Sequence, residues 1–398
     1  MLSQDRWILP DGIEEVLPAD AAHLEALRRK VLDLFFSWGY RFVMPPLIEF
    51  IEPLLTGAGS DLDLQTFKLI DQQSGRLLGV RADLTPQVAR IDARTRGGDV
   101  PSRLCYLGTV LHTHADRLSR SRDPLQVGAE LYGHAGTASD LEVIRLMLEL
   151  LRVAGLPEPH LDLGHVGIYR GLADQAGLDE RQETELFEIL QRKAAAELQE
   201  YLRDNGVARR EADMLAALEE LHGDFEMLGQ ARSRLAGAGP KVLAALEQIA
   251  AIGESLRSEL PDLNIHFDLA ELRGYHYKTG AVFAAFVDGY GKEVARGGRY
   301  DEIGKAFGRA RPATGFSADL KTLARLGARS DPAADDGAIY APADDGAELR
   351  AAIAQLRRQG RIVIQELAGQ AATADAMGCR YALVRQDGEW RIQPLAGD

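Results

Sequence analysis

Apolar residues from 20 to 38, "DAAHLEALRRKVLDLFFSW", recur at three- and four-residue spacing through Leu24, Leu27, Val31 and Leu34. That is the period of a helix with one buried face, which Asp20 can cap at its start and Gly39 can end. In the "YRFVMPPLIEF" that follows, Pro45 and Pro46 exclude helix and predict extended chain. Residues 64–82 read as a hairpin, two apolar runs around a polar "DQQSG" turn. Pro86 suits the first turn of a helix running to about Arg96. The stretch "YLGTVLHTHADRLSRSRDPLQVGAELYG", Tyr106 to Gly133, predicts two strands with a polar tip near 113–123.

A third helix is expected over 137–154, then a short strand in "HLDLGHVGIY". From about 172 to 258 the pattern changes to Ala, Leu, Glu and Gln at helical period with no strand signal, which predicts a helical insertion in a strand-rich domain. Strand character returns in "NIHFDLAEL", "AVFAAFVDG" and "KEVARGG", followed by a helix beginning near Ser317. "GARSDPAADDG" (327–337) is small and polar and reads as a linker. Beyond it, strand, helix, strand, a helix in "QAATADAMG" and two further strands predict a small, partly parallel sheet with helices packed on it. The resulting domains are 1–326, with the insertion at about 172–258, and 336–398.

At 398 residues the chain is too long for one ordinary core, which agrees with this division. It has 46% hydrophobic and 27% charged residues, the composition of a soluble globular protein. No apolar run approaches the ~18–20 residues that span a bilayer. "MLSQDRWILPDG" has neither the basic nor the apolar region of a signal peptide, so a cytoplasmic location is expected. Cys105 and Cys379 fall in strand-like segments, as two small buried side chains in a reducing compartment. The net charge of −14 opposes binding of a polyanion such as RNA or DNA.

Three stretches hold candidate chemistry. His112 and His114, two apart, can face one side of a strand and ligate zinc, but a site needs a third ligand and Asp116 is the only neighbour. Two loop histidines are the plainer reading. The tip arginines Arg117, Arg120 and Arg122 lack the aromatic neighbours of a nucleic-acid surface, and fit a solvated loop or one docking on an acidic or phosphate-bearing partner. There is no Walker loop, no dinucleotide fingerprint, no nucleophile elbow and no HExxH or CxxC motif. No cofactor or metal is expected.

The third stretch is a constellation. "VRADLTPQVAR" places Asp83 and Thr85 at the end of a strand, and "PLQVGAEL" places Gln126 and Glu130 four apart, on one face of another. "LRGYHYKTGAVF" adds Arg273 and Tyr277. Two carboxylates, an amide, a hydroxyl, a phenol and a guanidinium suit a small zwitterion, acids for its ammonium and Arg for its carboxylate. On spacing alone the same inventory also describes a surface salt-bridge face.

These phrases, together with "ARGGRYDEI", resemble the catalytic domain of histidyl-tRNA synthetases. That resemblance implies an α+β class II aminoacyl-tRNA synthetase fold, an antiparallel sheet flanked by helices with the insertion in the family's usual place. "LPDGIEEVLP" resembles the family's N-terminal entry and "GYRFVMPPLIE" its first motif, which implies a homodimer interface. The Tyr106–Gly133 stretch resembles the second motif and "RPATGFSADLKTL" the third. The likeness covers most of 5–326, and 336–398 looks like a truncated anticodon-binding domain. It implies that Asp83, Thr85, Gln126, Glu130, Arg273 and Tyr277 line a histidine pocket. Asp83 stands where the family has Glu, and Lys278 where it has a second Tyr.

The nucleotide motifs depart further. His112 stands where the resemblance places a phosphate-gripping Arg, and His114 where it places an adenine-contacting Glu. Lys321 and Thr322 replace a Glu-Arg pair, and Asp319 replaces a Gly, an acid facing where a triphosphate would sit. Adenylation depends on fixed cations, each contributing about 3–4 kcal/mol to the transition state, so amino-acid activation is not expected. A kept amino-acid face beside a dismantled ATP site resembles the synthetase paralogues that serve as regulatory subunits of ATP phosphoribosyltransferase. That likeness implies a non-catalytic chain in a hetero-oligomer with the short-form catalytic subunit, with histidine as effector.

Overall fold

The computed structural model describes residues 8–56, 60–95, 100–115, 120–270, 274–275, 277–328, 337–344, 346–370 and 372–395. Arg117 and Arg273, and most of the expected linker, lie outside them. The chain divides into two compact units, residues 1–328 and 329–398.

The first helix, Pro18–Ser37, buries Leu27, Val31 and Phe35 on one stripe, as its period requires. After it come strands β1 (Arg41–Phe42) and β2 (Ile48–Phe50), then β3 (Phe67–Ile70) and β4 (Leu77–Val80) around the "DQQSG" turn, and the helix Thr85–Arg94. Strands β5 (Ser102–Thr109) and β6 (Leu125–Tyr132) flank the polar tip, and the helix Thr137–Val153 precedes β7 (His160–His165). The insertion carries helices Val166–Ala176, Glu180–Gln191, Ala195–Asp204, Arg209–Ala217, Phe225–Arg234 and Pro240–Glu259, with a two-residue strand β8 (His222–Gly223). The helical run thus begins at Val166, ahead of the expected 172, because the His165 side chain caps a helix directly after the strand. Strands β9 (Asn264–Asp268), β10 (Ala281–Phe286), β11 (Ala295–Arg299) and β12 (Ala313–Asp319) complete the unit, followed by the helix Leu320–Leu326.

Nine of these strands form one sheet in the order β1-β5-β6-β12-β11-β10-β7-β9-β8, while β2-β4-β3 form a separate small sheet. The six central strands of the large sheet are antiparallel to their neighbours; β1 on β5 and β9 on β7 are parallel. Strand β6 shows how the two faces differ. Val127, Ala129 and Leu131 enter the main core with the helices Pro18–Ser37 and Thr137–Val153, whereas Gln126 and Glu130, at the alternate positions, point to the other face. Burying Val143, Ile144, Met147, Leu150 and Leu151 of the second helix contributes about 1.5–3 kcal/mol per side chain.

Two expected helices are corrected. Ser317 lies in the central strand β12, and the helix starts three residues later at Leu320, capped by Asp319. This strand carries Gly315 and Ser317 rather than an apolar run, so it gave no strand period in the sequence. Within "QAATADAMG", residues 374–378 form turns closed by bonds from Met377 N to Thr373 O and from Gly378 N to Asp375 O. Its alanines offer no apolar face to pack. The second unit is β13 (Ala338–Ala341), the helix Ala347–Arg358, β14 (Val363–Gln365), β15 (Cys379–Gln386) and β16 (Glu389–Pro394), in sheet order β14-β13-β15-β16. Its first two pairings are parallel and the last antiparallel. Cys105 and Cys379 are both buried and unbridged. Among the described residues, no helix is long and apolar enough to cross a membrane.

Candidate functional site

On the face of the sheet opposite the main core lies a cavity of about 420 Å³. Asp83, Thr85, Gln126, Glu130 and Tyr277 all line it, so the described members of the constellation converge; Arg273 lies outside the described residues. They do not converge as three adjacent strands. Strand β4 ends at Val80, so Asp83 sits in the following loop and Thr85 opens a helix whose early Pro86 needs no amide donor there. Tyr277 likewise belongs to a turn, with its amide and that of Lys278 bonded to Gly274 O at 3.1 and 2.9 Å. Gly274 has φ +73°, open to glycine and strained for other residues.

Glu130 sits at the centre of the sheet, opposite Leu104 on β5 and Gly315 on β12. A β-carbon at position 315 would overlap its carboxylate, so the glycine that hid β12 from sequence reading makes room for the acid. Glu130 is only 1% exposed, which removes the surface salt-bridge reading. It accepts hydrogen bonds from the Tyr106 hydroxyl at 3.0 Å, the Thr85 hydroxyl at 3.2 Å and the Tyr300 hydroxyl. Burial raises its pKa to about 8, outweighing the opposing effect of the tyrosine hydrogen bonds, and the nearby charge of Asp83 adds to the rise. The carboxyl therefore keeps its proton to a higher pH than an exposed glutamate does.

A second network joins the loop to the sheet. Gln126 Nε2 donates to Asp83 Oδ1 at 2.8 Å, and its Oε1 accepts from Leu84 N at 2.8 Å. Thr85 N also donates to Asp83 Oδ1, at 3.0 Å. Lys278, 6% exposed, lines the cavity and donates from Nζ to the carbonyl of Gly297. Tyr106, Tyr300 and Arg296 are site residues that sequence reading missed. Tyr300 lay inside the quoted "ARGGRYDEI", but nothing local reveals that its hydroxyl meets a carboxylate 170 residues away.

The other expected positions are engaged with protein groups. His112 lines the cavity edge, its Nε2 2.9 Å from Ala82 O, while the ring of His114 meets the Thr113 hydroxyl at 2.9 Å. Among the described residues no group of three His, Cys, Asp or Glu is placed to hold a metal, and Asp116, the third ligand weighed for this pair, lies outside them. Arg122 bonds to the carbonyls of His112 and Asp11, which makes this tip arginine a structural clasp. Lys321 pairs with Asp123 at 2.8 Å. Asp319 accepts from Leu125 N, Lys321 N, Thr322 N and the Thr322 hydroxyl, the last at 2.6 Å. It is thus a helix cap, while also lining a shallow hollow of about 130 Å³ with Gln126, Arg296 and Thr322.

A family model described as histidyl-tRNA synthetase matches residues 12–323, and a second, the ATP phosphoribosyltransferase subunit HisZ C-terminal domain, matches 336–393. An ATP phosphoribosyltransferase regulatory subunit from Methylococcus capsulatus is 60% identical over 395 residues, covering 99% of this chain and 97% of the relative. Another, from Thioalkalivibrio sulfidiphilus, is 57% identical over 99% of this chain and 100% of the relative. A solved ATP phosphoribosyltransferase regulatory subunit/histidyl-tRNA synthetase from Bacillus halodurans superposes with a TM-score of 0.80 at 28% identity, covering 93% of this chain and 95% of that one. The histidyl-tRNA synthetase of Nostoc sp. PCC 7120 shares the fold, with a TM-score of 0.77 at 18% identity over 98% of this chain and 97% of its own. With near-complete coverage at such identity, and with both family models placed along one chain, this protein belongs to the family of ATP phosphoribosyltransferase regulatory subunits, built on the class II fold of histidyl-tRNA synthetase.

Proposed function

We propose that the cavity takes free histidine, and that this chain passes the signal to a short-form ATP phosphoribosyltransferase catalytic subunit with which it assembles. The observation that carries the reading is Glu130, a buried carboxyl held by three hydroxyls on the wall of a cavity of about 420 Å³, large enough for a free amino acid. An imidazole, with an ordinary pKa near 6.5, can share one proton with such a group whichever partner holds it. Asp83 offers a carboxylate to the α-ammonium, and Arg273 is the cation proposed for the α-carboxylate. Histidine then acts by binding two states of the complex unequally, with a coupling of typically ~1–3 kcal/mol.

The chain itself is proposed to be non-catalytic. His112 and Thr322 supply no guanidinium for a triphosphate, and Lys321 is neutralised by Asp123, so the electrostatic stabilisation that adenylation needs is missing. Self-association is proposed at the first-motif region, where Met44, Leu47, Ile48, Leu69, Ile70 and Leu77 leave large apolar side chains exposed on and beside the small sheet. A net charge of −14 argues against tRNA as a partner.

A mixed-subunit assay tests the reading. Phosphoribosyl transfer by the short catalytic subunit should rise when this chain is added, then fall when histidine is added. No gain in transfer would overturn the regulatory role. Histidine-dependent ATP–pyrophosphate exchange by this chain alone would mean that it is a working ligase instead.

A further inference from the structure

Tyr277 and Lys278 reach the cavity from the turn at Gly274, and the carbonyls of Tyr275 and Lys278 take their donors from elsewhere. Arg170, on the helix Val166–Ala176, supplies them. Its Nη1 donates to Lys278 O at 2.8 Å and its Nη2 to Tyr275 O at 2.6 Å. The same guanidinium lies 4.6 Å from the centre of the Tyr275 ring. A planar fork can close on two carbonyls and stack on a ring together, which an ammonium cannot do.

Tyr275 is in turn wedged into the helical insertion. It stacks on Phe187 at 4.8 Å with 21° between the rings, and Tyr169 meets it edge-on at 5.4 Å. Phe187 belongs to the helix Glu180–Gln191 and also lines the cavity. One helix turn earlier, Glu183 places its charge near Arg170, and its carbonyl accepts from the Tyr169 hydroxyl. The segment that carries Tyr277 and Lys278 is therefore clasped between a cation on one helix and an aromatic face on the next.

We propose that Arg170 is a positioning residue: it latches the Tyr275–Lys278 segment to the first helices of the insertion, so that filling the cavity is felt at Phe187 and along Glu180–Gln191. The coupling to ligand rests on the reading that histidine fills the cavity; the latch itself does not.

Hydrogen exchange on the full chain, without ligand, tests the latch directly. In Arg170→Gln the amides of Tyr277 and Lys278 should exchange at least ~10-fold faster while the central strands stay protected. Histidine affinity should fall at least ~10-fold, and histidine should slow exchange in 180–191 in the unmodified chain but not in the variant. Arg170→Lys should recover thermal stability but less than half of the lost affinity, which separates positioning from simple support. Unchanged protection at Tyr277 and Lys278 in Arg170→Gln overturns the proposal. If that variant does not fold, Phe187→Leu gives the same reading: faster exchange at these two amides supports the latch and unchanged exchange sinks it. An unmodified chain that binds no histidine defeats the functional reading above and leaves the exchange comparison to decide the latch.

Discussion

Around Glu130 three hydroxyls and a glycine-floored cavity surround one acid, whereas around Asp319 the acids and bases answer one another. Both groups stand against strand β6, Glu130 within it and Asp319 opposite Gln126 at its start. The hydroxyls at Glu130 bring no opposing charge, so a ligand's basic nitrogen can still share a proton with the acid. At the other end Asp319 caps a helix and Lys321 faces Asp123, which leaves little unspent charge for a phosphate. One end is arranged for a ligand and the other for the fold itself. On the function proposed above, this is the difference expected between a binding protein and an enzyme on the same scaffold.

The hardest blow to that contrast is Glu130→Ala. Histidine affinity measured by calorimetry should drop at least ~100-fold, or ~3 kcal/mol, with assembly onto the catalytic subunit retained. Affinity within threefold of the unmodified chain would place the effector elsewhere. Lys321→Met should behave in the opposite way. It leaves the largely buried Asp123 unpaired and should lower unfolding stability by ~2–3 kcal/mol in denaturant, with histidine affinity unchanged.

A pH series sharpens the comparison further. The carboxyl of Glu130 titrates near 4.5 when unfolded and near 8 in the fold. Between these values the folded state holds the extra proton, so this group's stabilisation is complete below about 4.5 and is lost as pH rises through 8. Glu130→Gln should flatten that decline. Buried His165, depressed to about 4, works in the other direction, destabilising the fold as pH falls from 6.5 towards 4. Comparing unfolding midpoints of the unmodified chain and Glu130→Gln from pH 5 to 8 isolates the glutamate, and parallel curves would mean that it is ionised throughout. Smaller again is Asp319→Ala, which removes a helix cap and should cost ~1 kcal/mol without moving histidine affinity. His114→Ala, off the cavity, should change neither quantity measurably.

Much of the site could be read before any coordinates. Gln126 and Glu130 share a face because a strand repeats every two residues, and that rule needs no tertiary information. Asp83 and Thr85 were recognisable as partners, yet they were assigned to a strand end when they occupy a loop and a helix start. Central strand β12 was overlooked because Gly315 and Ser317 break the apolar period, and Gly315 is there to accommodate Glu130. The "QAATADAMG" segment was misread because alanine raises helix propensity but supplies no face to bury.

What the sequence determined by itself was local or shared with relatives: strand and helix periods, the helical insertion, and the acids and hydroxyl that line the cavity. What the tertiary structure decided was the state and support of those groups. The titration of Glu130 depends on how completely water is excluded, and on Tyr106 arriving from β5 and Tyr300 from just beyond β11. The clasp of Arg170 on Tyr275 and Lys278 spans more than a hundred residues. Periodicity is set by neighbours along the chain, while desolvation and hydrogen bonding are set by neighbours in space, and only folding determines which residues those are.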